Sequence, residues 1–414
     1  MVVSAAGLPL PVAAAISNGL LFLLIGGMAG SCDADMLREK FTTKMGYKGI
    51  LAGLVSQFVL LPLLGFLALT ALPQSPATAI ALLVVTTSPG GGFSGFWCFA
   101  ANADLALSVA MTTASTLVSV VALPLNLALY ITTLYGRTVA VDFVGLLTAC
   151  VTVILAVATG YTLSRHFPRR RQLVASIGQT AGVCLMIFGA LANGKSSDPA
   201  WGNDPSWFAA VCLPVVGGLL LAMLLALVRP EPEPETERER RQHSSRVLLH
   251  APACGVSWAI SRPPSVSCPA LLLPPPSAPS RVYLRVYPRA YLRAYLRVYL
   301  RVMQAIKLPS PQAVAVGIEC CYQNTGLALT IALSAMRPED VGEASGVPIV
   351  YGLVEIILIP AFALSCWKLG LTYAPPEENV CKAIVGNYQP SAADTGEVDG
   401  SKDPRRSEEP TAMW

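Results

Sequence analysis

Charged residues are scarce in this sequence of 414 residues. They make up 13% of the chain, whereas ordinary soluble domains carry about 25%. Between Lys48 and Arg137 the only charged residue is Asp104. An apolar stretch of roughly 20 residues is long enough to cross a bilayer. This composition excludes an ordinary soluble domain and predicts an integral membrane protein with many spans.

Metal-ligand and redox patterns are also lacking. The three histidines, His166, His243 and His250, lie outside the apolar blocks, which argues against a metal site or a histidine proton relay within the membrane. The 11 cysteines are scattered singly except for Cys320 and Cys321, so no zinc site or disulfide framework is expected. No nucleophile–base pair is evident in the sequence. We therefore expect neither an enzyme nor a bound cofactor, and no nucleic-acid partner.

A leader pattern is lacking as well, since no basic residue precedes Arg38. The first apolar block is therefore expected to remain as a span. Nine spans are predicted, at residues 10–30, 49–72, 78–101, 105–133, 138–164, 173–193, 206–228, 309–336 and 345–370. The third is interrupted by SPGGG (88–92) and the eighth by a polar stretch around Glu319. Broken backbone at membrane depth is tolerated only where it is buried in protein or lines a cavity.

Lysine and arginine residues in the short loops predict the orientation, because they concentrate on the cytoplasmic side. Basic clusters follow the first and fifth spans: Arg38, Lys40, Lys44 and Lys48, and then Arg165, Arg169, Arg170 and Arg171. Loops after odd-numbered spans are thus expected to be cytoplasmic. This puts the N-terminus on the extracytoplasmic side and the C-terminus in the cytoplasm, and a plasma membrane is favoured over an organelle.

The chain is predicted to have four parts: spans 1–7 in residues 1–228, an insertion at 229–307, spans 8–9 in 308–371, and a disordered cytoplasmic tail at 372–414. The insertion contains the repeat RVYLRVYPRAYLRAYLRVYLRV. One interpretation is a basic helix lying on anionic lipid. However, a spacing of four residues drifts around a helix, and Pro288 interrupts the run. These features favour a disordered low-complexity insertion or an artefact of the gene model.

Glu319 is the strongest functional signal in the sequence. An ionised group in the hydrocarbon core costs at least about 2.5–3.5 kcal/mol, so it persists only beside protein, water or a cation. Gln323 lies four residues on and would share a helical face with Glu319. A carboxylate, an amide oxygen and backbone carbonyls freed by a helix break suit a hard cation such as Na⁺. The alternative is a structural glutamate bonded to a neighbouring helix.

Other spans carry further polar side chains. Ser94 follows the first break, and Ser108 and Thr112 stand four residues apart on the next span, where their hydroxyls share a face. Gln57 is interpreted as an interhelical hydrogen-bonding group, and Glu355 is a second carboxylate within a span. Two discontinuous helices in corresponding places of two halves are typical of secondary transporters built from inverted repeats. The residues therefore favour a cation-coupled carrier.

Three motifs resemble those of the sodium/bile acid cotransporter family. They are SPGGGFSGFW (88–97), ADLALSVAMTTASTLVSVVALPL (103–125) and GIECCYQNTGLAL (317–329). The resemblance covers nearly all of residues 10–228 and 308–370. It implies an all-α polytopic membrane protein of the nine-span type with inverted-topology repeats. A panel domain would stand beside a core domain that holds two crossing broken helices.

The resemblance also implies site residues and a function. One sodium site would be formed by Ser94, Ser108, Thr112 and Glu319, and a second by Gln57, Glu319, Gln323 and the backbone carbonyls of Cys320 and Tyr322. The substrate crevice would include Gly90, Gly91, Asn324, Thr325 and Glu355. The implied function is sodium-coupled import of an organic anion by alternating access. The anion would be a bile-acid-like, steroid-conjugate or small carboxylate solute.

Two positions depart from the family pattern. Gly95 stands where the family has an asparagine, which removes a side-chain ligand from the first site, and Cys321 replaces a glycine at the second break. Two alternatives stay open. Protonation of Glu355 could replace one Na⁺, which would make the protein a proton-coupled organic anion carrier. Alternatively, the protein is a non-transporting scaffold or receptor that acts through its insertion.

Overall fold

The computed structural model describes residues 9–31, 38, 40–136, 143–194, 202–227, 297, 301, 306–386 and 388. These residues are almost entirely helical. In chain order the α-helices are α1 (Leu10–Ser31), α2 (Lys44–Val55), α3 (Leu61–Ala71), α4 (Pro76–Thr87), α5 (Ser94–Ala100), α6 (Leu105–Tyr135), α7 (Phe143–His166), α8 (Arg171–Gly194), α9 (Pro205–Leu227), α10 (Ser310–Cys321), α11 (Thr325–Ala335), α12 (Val341–Lys368) and α13 (Val380–Val385).

Seven helical segments in this described part of the chain are long and apolar enough to cross a membrane. They are α1, the continuous run from α2 to α3, α6, α7, α8, α9 and α12. The apolar helices α4 and α11 have 12 and 11 residues. At about 1.5 Å per residue, each reaches little more than half of a hydrocarbon core of about 30 Å. The architecture is that of an all-helical, multi-pass membrane protein.

The run from α2 to α3 contains a π-helical turn at Ser56–Leu60, which the sequence did not predict. Pro62 has no amide hydrogen, so it cannot donate to the carbonyl of Phe58 as a regular helical residue would. That carbonyl instead accepts a hydrogen bond from Asn126 Nδ2 at 3.1 Å. The π turn carries Gln57, which is buried. Single π turns inside α-helices occur often at functional sites.

The third predicted span is broken between α4 and α5, as its sequence indicates. Helix α4 begins at Pro76, where the side chain of Ser75 caps the amide of Thr78 at 3.2 Å. It ends at Thr87, because Pro89 and three glycines follow and cannot sustain a helix. Helix α5 resumes at Ser94. The predicted interruption is confirmed.

The eighth predicted span is broken between α10 and α11, and the two breaks cross. Asn324 caps α11 by accepting a hydrogen bond from the amide of Leu327 at 2.9 Å. The amide of Gly91 donates to the carbonyl of Tyr322 at 2.8 Å, and the amide of Asn324 donates to that of Pro89 at 2.9 Å. Extended backbone from each break therefore satisfies polar groups of the other, as broken helices within a membrane require.

Helix α1 packs closely against α7 and against α8 through small residues. A methyl group on Gly27 of α1 would collide with the backbone of Gly178 on α8, and one on Gly160 of α7 would collide with the carbonyl of Gly26. Glycine contacts of this kind let membrane helices approach along their backbones. The other long helices pack around the two broken helices, and α1 and α8 adjoin this group through contacts with α11 and α12, respectively.

The two ends of the helical bundle bring together the chain segments that the predicted topology assigns to the same side. At one end Asp104 Oδ2 accepts from Lys40 Nζ at 3.1 Å and from Gln312 Nε2 at 3.2 Å. At the other end Thr78 Oγ1 donates to Glu343 Oε1 at 2.6 Å. These contacts join the segment before α2 to the starts of α6 and α10, and the start of α4 to the start of α12.

The tail was predicted to be disordered from residue 372, and this is wrong for residues 372–386. The indole of Trp367 donates to the carbonyl of Pro375 at 2.8 Å, and the amide of Tyr373 donates to the carbonyl of Asn102 at 2.9 Å. Trp367, Ala374 and Ala383 form a small buried apolar cluster that anchors α13. Residues 389–414 and most of the predicted insertion at 229–307 lie outside the described residues.

Candidate functional site

Glu319 lies near the end of α10 at the crossing of the two breaks, and none of its side chain is exposed. Ser108 Oγ on α6 donates to Glu319 Oε2 at 2.7 Å, and Thr112 Oγ1 donates to Oε1. Ser94, the first residue of α5, has its hydroxyl 3.4 Å from that of Thr112. Two helices, α5 and α6, thus place three hydroxyl groups around the carboxylate carried by α10.

Gly90 explains how the carboxylate reaches the first break. A methyl group built on Gly90 would overlap Glu319 Oε1. Only glycine has no side chain at this position, so the close approach depends on it. The amide of Gly90 donates to Ser115 Oγ on α6 at 3.3 Å, which holds the backbone in place. The glycines of the motif SPGGG therefore serve two purposes, because they end α4 and make room for Glu319.

A second group of polar side chains adjoins the first. Gln57 Nε2 donates to Gln323 Oε1 at 2.7 Å and to the carbonyl of Ser88 at 2.6 Å. Ser88 Oγ also donates to Gln323 Oε1, at 3.1 Å. Gln323 Nε2 in turn donates to the carbonyl of Cys320. The oxygen of the Gln57 amide is buried and accepts no hydrogen bond from the described residues.

Backbone carbonyls at the end of α10 are released from helical hydrogen bonding. In an unbroken helix the amide of Gln323 would donate to the carbonyl of Glu319. It donates instead to Glu355 Oε1 on α12, at 2.6 Å. The next amide, that of Asn324, donates to Pro89 rather than to the carbonyl of Cys320. The break therefore frees the carbonyl of Glu319 from the Gln323 amide, and the carbonyl of Cys320 accepts from the side chain of Gln323 instead.

The oxygen atoms gathered here fit a hard monovalent cation. Carboxylate, hydroxyl, amide and carbonyl oxygens are the ligands that such ions prefer. Among the described residues, no group of three or more His, Cys, Asp or Glu stands together as a transition-metal site would require. The ion pairs within the described ranges involve Lys40 with Asp104, and Arg337 with Glu339 and Asp340. Glu319 and Glu355 are thus buried without a basic partner from this part of the chain.

The predicted site residues fall into three groups. Ser94, Ser108, Thr112 and Glu319 lie together, and so do Gln57, Gln323 and the carbonyl of Cys320. The carbonyl of Tyr322 faces Gly91 in the other break. The carboxylate of Glu319 bonds to hydroxyls of the first group, Ser108 and Thr112.

The residues predicted for the substrate crevice are spread around the crossing. Gly90 and Gly91 lie against Glu319 and against Tyr322 and Gln323, respectively. Asn324 caps α11, and its Nδ2 is buried without a partner among the described residues. Thr325 Oγ1 lies 3.7 Å from Met186 Sδ on α8. Glu355 is 1% exposed and lies behind the break on α12.

Sequence reasoning missed Ser88 and Ser115, which bond to Gln323 and to Gly90. Both lie within quoted motifs, but no periodicity distinguishes them from serines that bond only to their own helix. It also missed that Glu355 contacts the second break. A carboxylate within a span predicts a partner, but sequence spacing cannot say that this partner is a backbone amide 32 residues away.

Fold and site together define a multi-pass helical membrane protein in which two broken helices cross at a buried carboxylate lined by hydroxyl groups. Residues 19–197 match the model of the Sodium Bile acid symporter family. This match confirms the resemblance drawn from the sequence motifs. It covers α1 to α8, including the first break, and ends before α9.

Curated relatives agree with the family match. The chain is 30% identical over 185 residues to the ileal sodium/bile acid cotransporter of Homo sapiens, covering 43% of this chain and 53% of that protein. It is 27% identical over 219 residues to the sodium-dependent organic anion transporter of Homo sapiens, covering 51% and 56%. For the rat (Rattus norvegicus) transporter of the latter name, the identity is 31% over 183 residues, covering 42% and 49%. The chain spans about half the length of the curated relatives it matches.

Proposed function

We propose that this protein is a sodium-coupled symporter that imports an organic anion by alternating access. The observation that carries the proposal is Glu319, a fully buried carboxylate surrounded by hydroxyl groups at the crossing of two broken helices. A carboxylate buried without a basic partner is costly unless a cation offsets its charge. A sodium ion that binds there during transport would offset it.

The two groups of oxygen atoms form the two sodium sites. The first consists of Ser94, Ser108, Thr112 and Glu319, and the second of Gln57, Gln323 and the carbonyls of Glu319, Cys320 and Tyr322. The buried, unpartnered oxygen of Gln57 supports the second site, because a cation would satisfy it. Sodium is a transported substrate here, and its release on the other side of the membrane resets the carrier.

Alternating access requires two bodies that move against each other around the site. Helices α1, α7 and α8 form the panel domain, and the helices around the two breaks form the core domain, so that the broken helices complete a nine-span protein. Apolar side chains line part of the interface between the bodies: Leu24 and Met28 of α1 adjoin Gly92, and Leu185 of α8 adjoins Gly326. Such walls suit a solute with an apolar body and an anionic group.

The relatives' names guide the choice of substrate. One group is named for bile acid and the other for organic anions. The loops rich in lysine and arginine support an extracytoplasmic N-terminus and a cytoplasmic C-terminus, and the sodium gradient across a plasma membrane would then drive import. Together, these observations favour an organic anion that enters with sodium.

The test is uptake by purified protein in proteoliposomes. Radiolabelled taurocholate, a steroid sulfate and a small carboxylate are offered with an inward gradient of sodium or of choline. We expect sodium to drive uptake of at least one anion, and Glu319→Gln to reduce that uptake to the choline level. Glu339→Gln is the matched control, because Glu339 is 63% exposed and pairs with Arg337 at the surface.

Other outcomes identify the alternatives. Uptake driven by a pH gradient without sodium would indicate a proton-coupled carrier. If no anion is taken up and sodium does not stabilise the protein, the result would favour a scaffold or receptor. Equal uptake in sodium and choline would contradict sodium coupling.

A further inference from the structure

Glu355 contributes no atom to either proposed sodium site, yet it touches the second break directly. It lies on α12, is 1% exposed, and accepts a hydrogen bond from the amide of Gln323 at 2.6 Å. We propose that Glu355 both shapes the second sodium site and provides its negative charge. This inference rests on the proposed sodium-coupled function and assigns a positioning role to a residue outside the ligand sets.

The shaping role follows from the hydrogen bond that Glu355 takes. In a continuous helix, the amide of Gln323 would donate a hydrogen bond to the carbonyl of Glu319. Because Glu355 accepts it, the carbonyl of Glu319 is available to a cation. The same bond fixes the backbone of Gln323, whose side chain accepts from Gln57 at 2.7 Å. Glu355 thus orients two proposed ligands without touching the ion.

The charge role follows from what the second site otherwise lacks. Its ligands from Gln57, Gln323 and the backbone are all neutral. The carboxylate of Glu319 is held on the other side by the hydroxyls of Ser108 and Thr112. A cation in a low-dielectric site needs a nearby opposite charge to replace its hydration. Glu355 is the buried carboxylate that adjoins this site, and no ion pair within the described ranges neutralises it.

At the first break, an uncharged group is enough to hold the crossing backbone in place. The amide of Gly90 occupies the position opposite Gln323 in the crossing, and it donates to the hydroxyl of Ser115 on α6. A neutral hydroxyl therefore suffices to hold a crossing amide. A carboxylate at the corresponding point of the second break adds a negative charge. Two buried carboxylates and two sodium ions would leave the crossing electrically neutral.

The experiment measures binding of radioactive sodium to the purified full chain by equilibrium scintillation proximity. We expect two sodium ions per wild-type chain. Glu355→Gln keeps an oxygen that accepts the Gln323 amide but removes the charge, so it should bind one ion with unchanged affinity and a second at least about tenfold more weakly. Glu355→Leu removes both roles and should lose the second ion altogether. Glu339→Gln is the control and should bind like wild type.

The number of bound sodium ions and their affinities separate the inference about Glu355 from the proposed function. If wild type binds two ions and Glu355→Gln binds them with unchanged affinity, the inference is overturned while the proposed function stands. A wild-type protein that binds one ion also overturns the inference, and one that binds none overturns the proposed function with it. If Glu355→Gln does not fold, Glu355→Asp and Glu355→Asn give the same contrast of charge at equal length, and only the Asp variant should keep the second ion.

Discussion

The break between α4 and α5 spans residues 88–93, and the break between α10 and α11 spans residues 322–324. The first contains a proline, three glycines and no charged side chain. The second is short, begins three residues after Glu319, and is contacted by Glu355 from α12. The first break therefore provides space for the carboxylate of Glu319, and the helices beside the second break, α10 and α12, provide negative charge. A cation site at their crossing needs both.

This difference predicts that the two breaks tolerate substitution differently. At the first break, replacing a glycine is expected to be harmful when the new side chain fills the space that Glu319 occupies. At the second break, a substitution is expected to be harmful when it removes an oxygen ligand or a charge. Substitutions in each break, and in the helices that support them, can therefore separate loss of space from loss of charge.

The largest effect is expected for Gly90→Ala. The added methyl group would overlap the carboxylate of Glu319, so either the crossing opens or the carboxylate leaves its hydroxyl partners. We expect loss of sodium-driven uptake and of sodium-dependent thermal stabilisation. Gly95→Ala is the matched control, because its methyl group would meet only Leu105 Cδ1 at 3.7 Å. Equal losses in both variants would contradict the proposed role of Gly90.

The next effect concerns the hydroxyls around Glu319. Ser108→Ala combined with Thr112→Ala removes two hydrogen bonds to a charged group, each worth about 1.5–3 kcal/mol. Part of that energy also contributes to sodium binding, so half-saturation by sodium should rise by at least about tenfold. Thr113→Ala provides the comparison, since the Thr113 hydroxyl bonds to the carbonyl of Val109 on its own helix at 3.0 Å. Sodium titration of uptake measures both.

A smaller effect is expected for Ser115→Ala. Its hydroxyl holds the amide of Gly90 through one neutral hydrogen bond of 3.3 Å, and such a bond contributes about 1 kcal/mol. We expect a lower melting temperature but two bound sodium ions, as in wild type. A change in the number of bound ions would show that the two breaks do not divide space and charge as described.

The smallest effect is expected for Gly95→Asn. The position is open enough to accept a side chain, and an amide oxygen there would add a ligand beside Ser94. Half-saturation by sodium should fall by a few-fold, because one more neutral oxygen joins a site that already has a carboxylate. Weaker sodium binding would indicate that Gly95 is needed for packing instead.

Both breaks could be predicted from the sequence, because their residues are chemically unusual for a membrane span. Proline followed by three glycines cannot continue a helix, and a carboxylate such as Glu319 requires a polar partner. Helix bounds within apolar blocks also followed from length and composition. The grouping of Ser108 and Thr112 with Glu319 came from the resemblance, since spacing alone puts the two hydroxyls on one face without naming what they contact.

What sequence could not supply was set by tertiary contacts. The π turn at Gln57 depends on Asn126 taking the carbonyl that Pro62 leaves open. The folded segment at 372–386 has no long apolar run, and it packs through the buried cluster of Trp367, Ala374 and Ala383. Glu355 was expected near the substrate, but its bond to the Gln323 amide depends on how α12 packs against the break. None of these pairings has a local pattern.

Sodium-dependent stabilisation of the purified chain tests the central claim most directly. Melting is followed in sodium chloride and in choline chloride at equal ionic strength, for the wild type, Glu319→Gln and Glu339→Gln. A ligand that binds only the folded state stabilises it by about 2.7 kcal/mol at a hundredfold excess over its dissociation constant. Sodium should therefore raise the melting temperature of the wild type and of Glu339→Gln by several degrees, and raise that of Glu319→Gln distinctly less, because only the second site remains. Identical melting of the wild type in both salts, or an equal sodium effect on Glu319→Gln, would contradict a sodium site at Glu319.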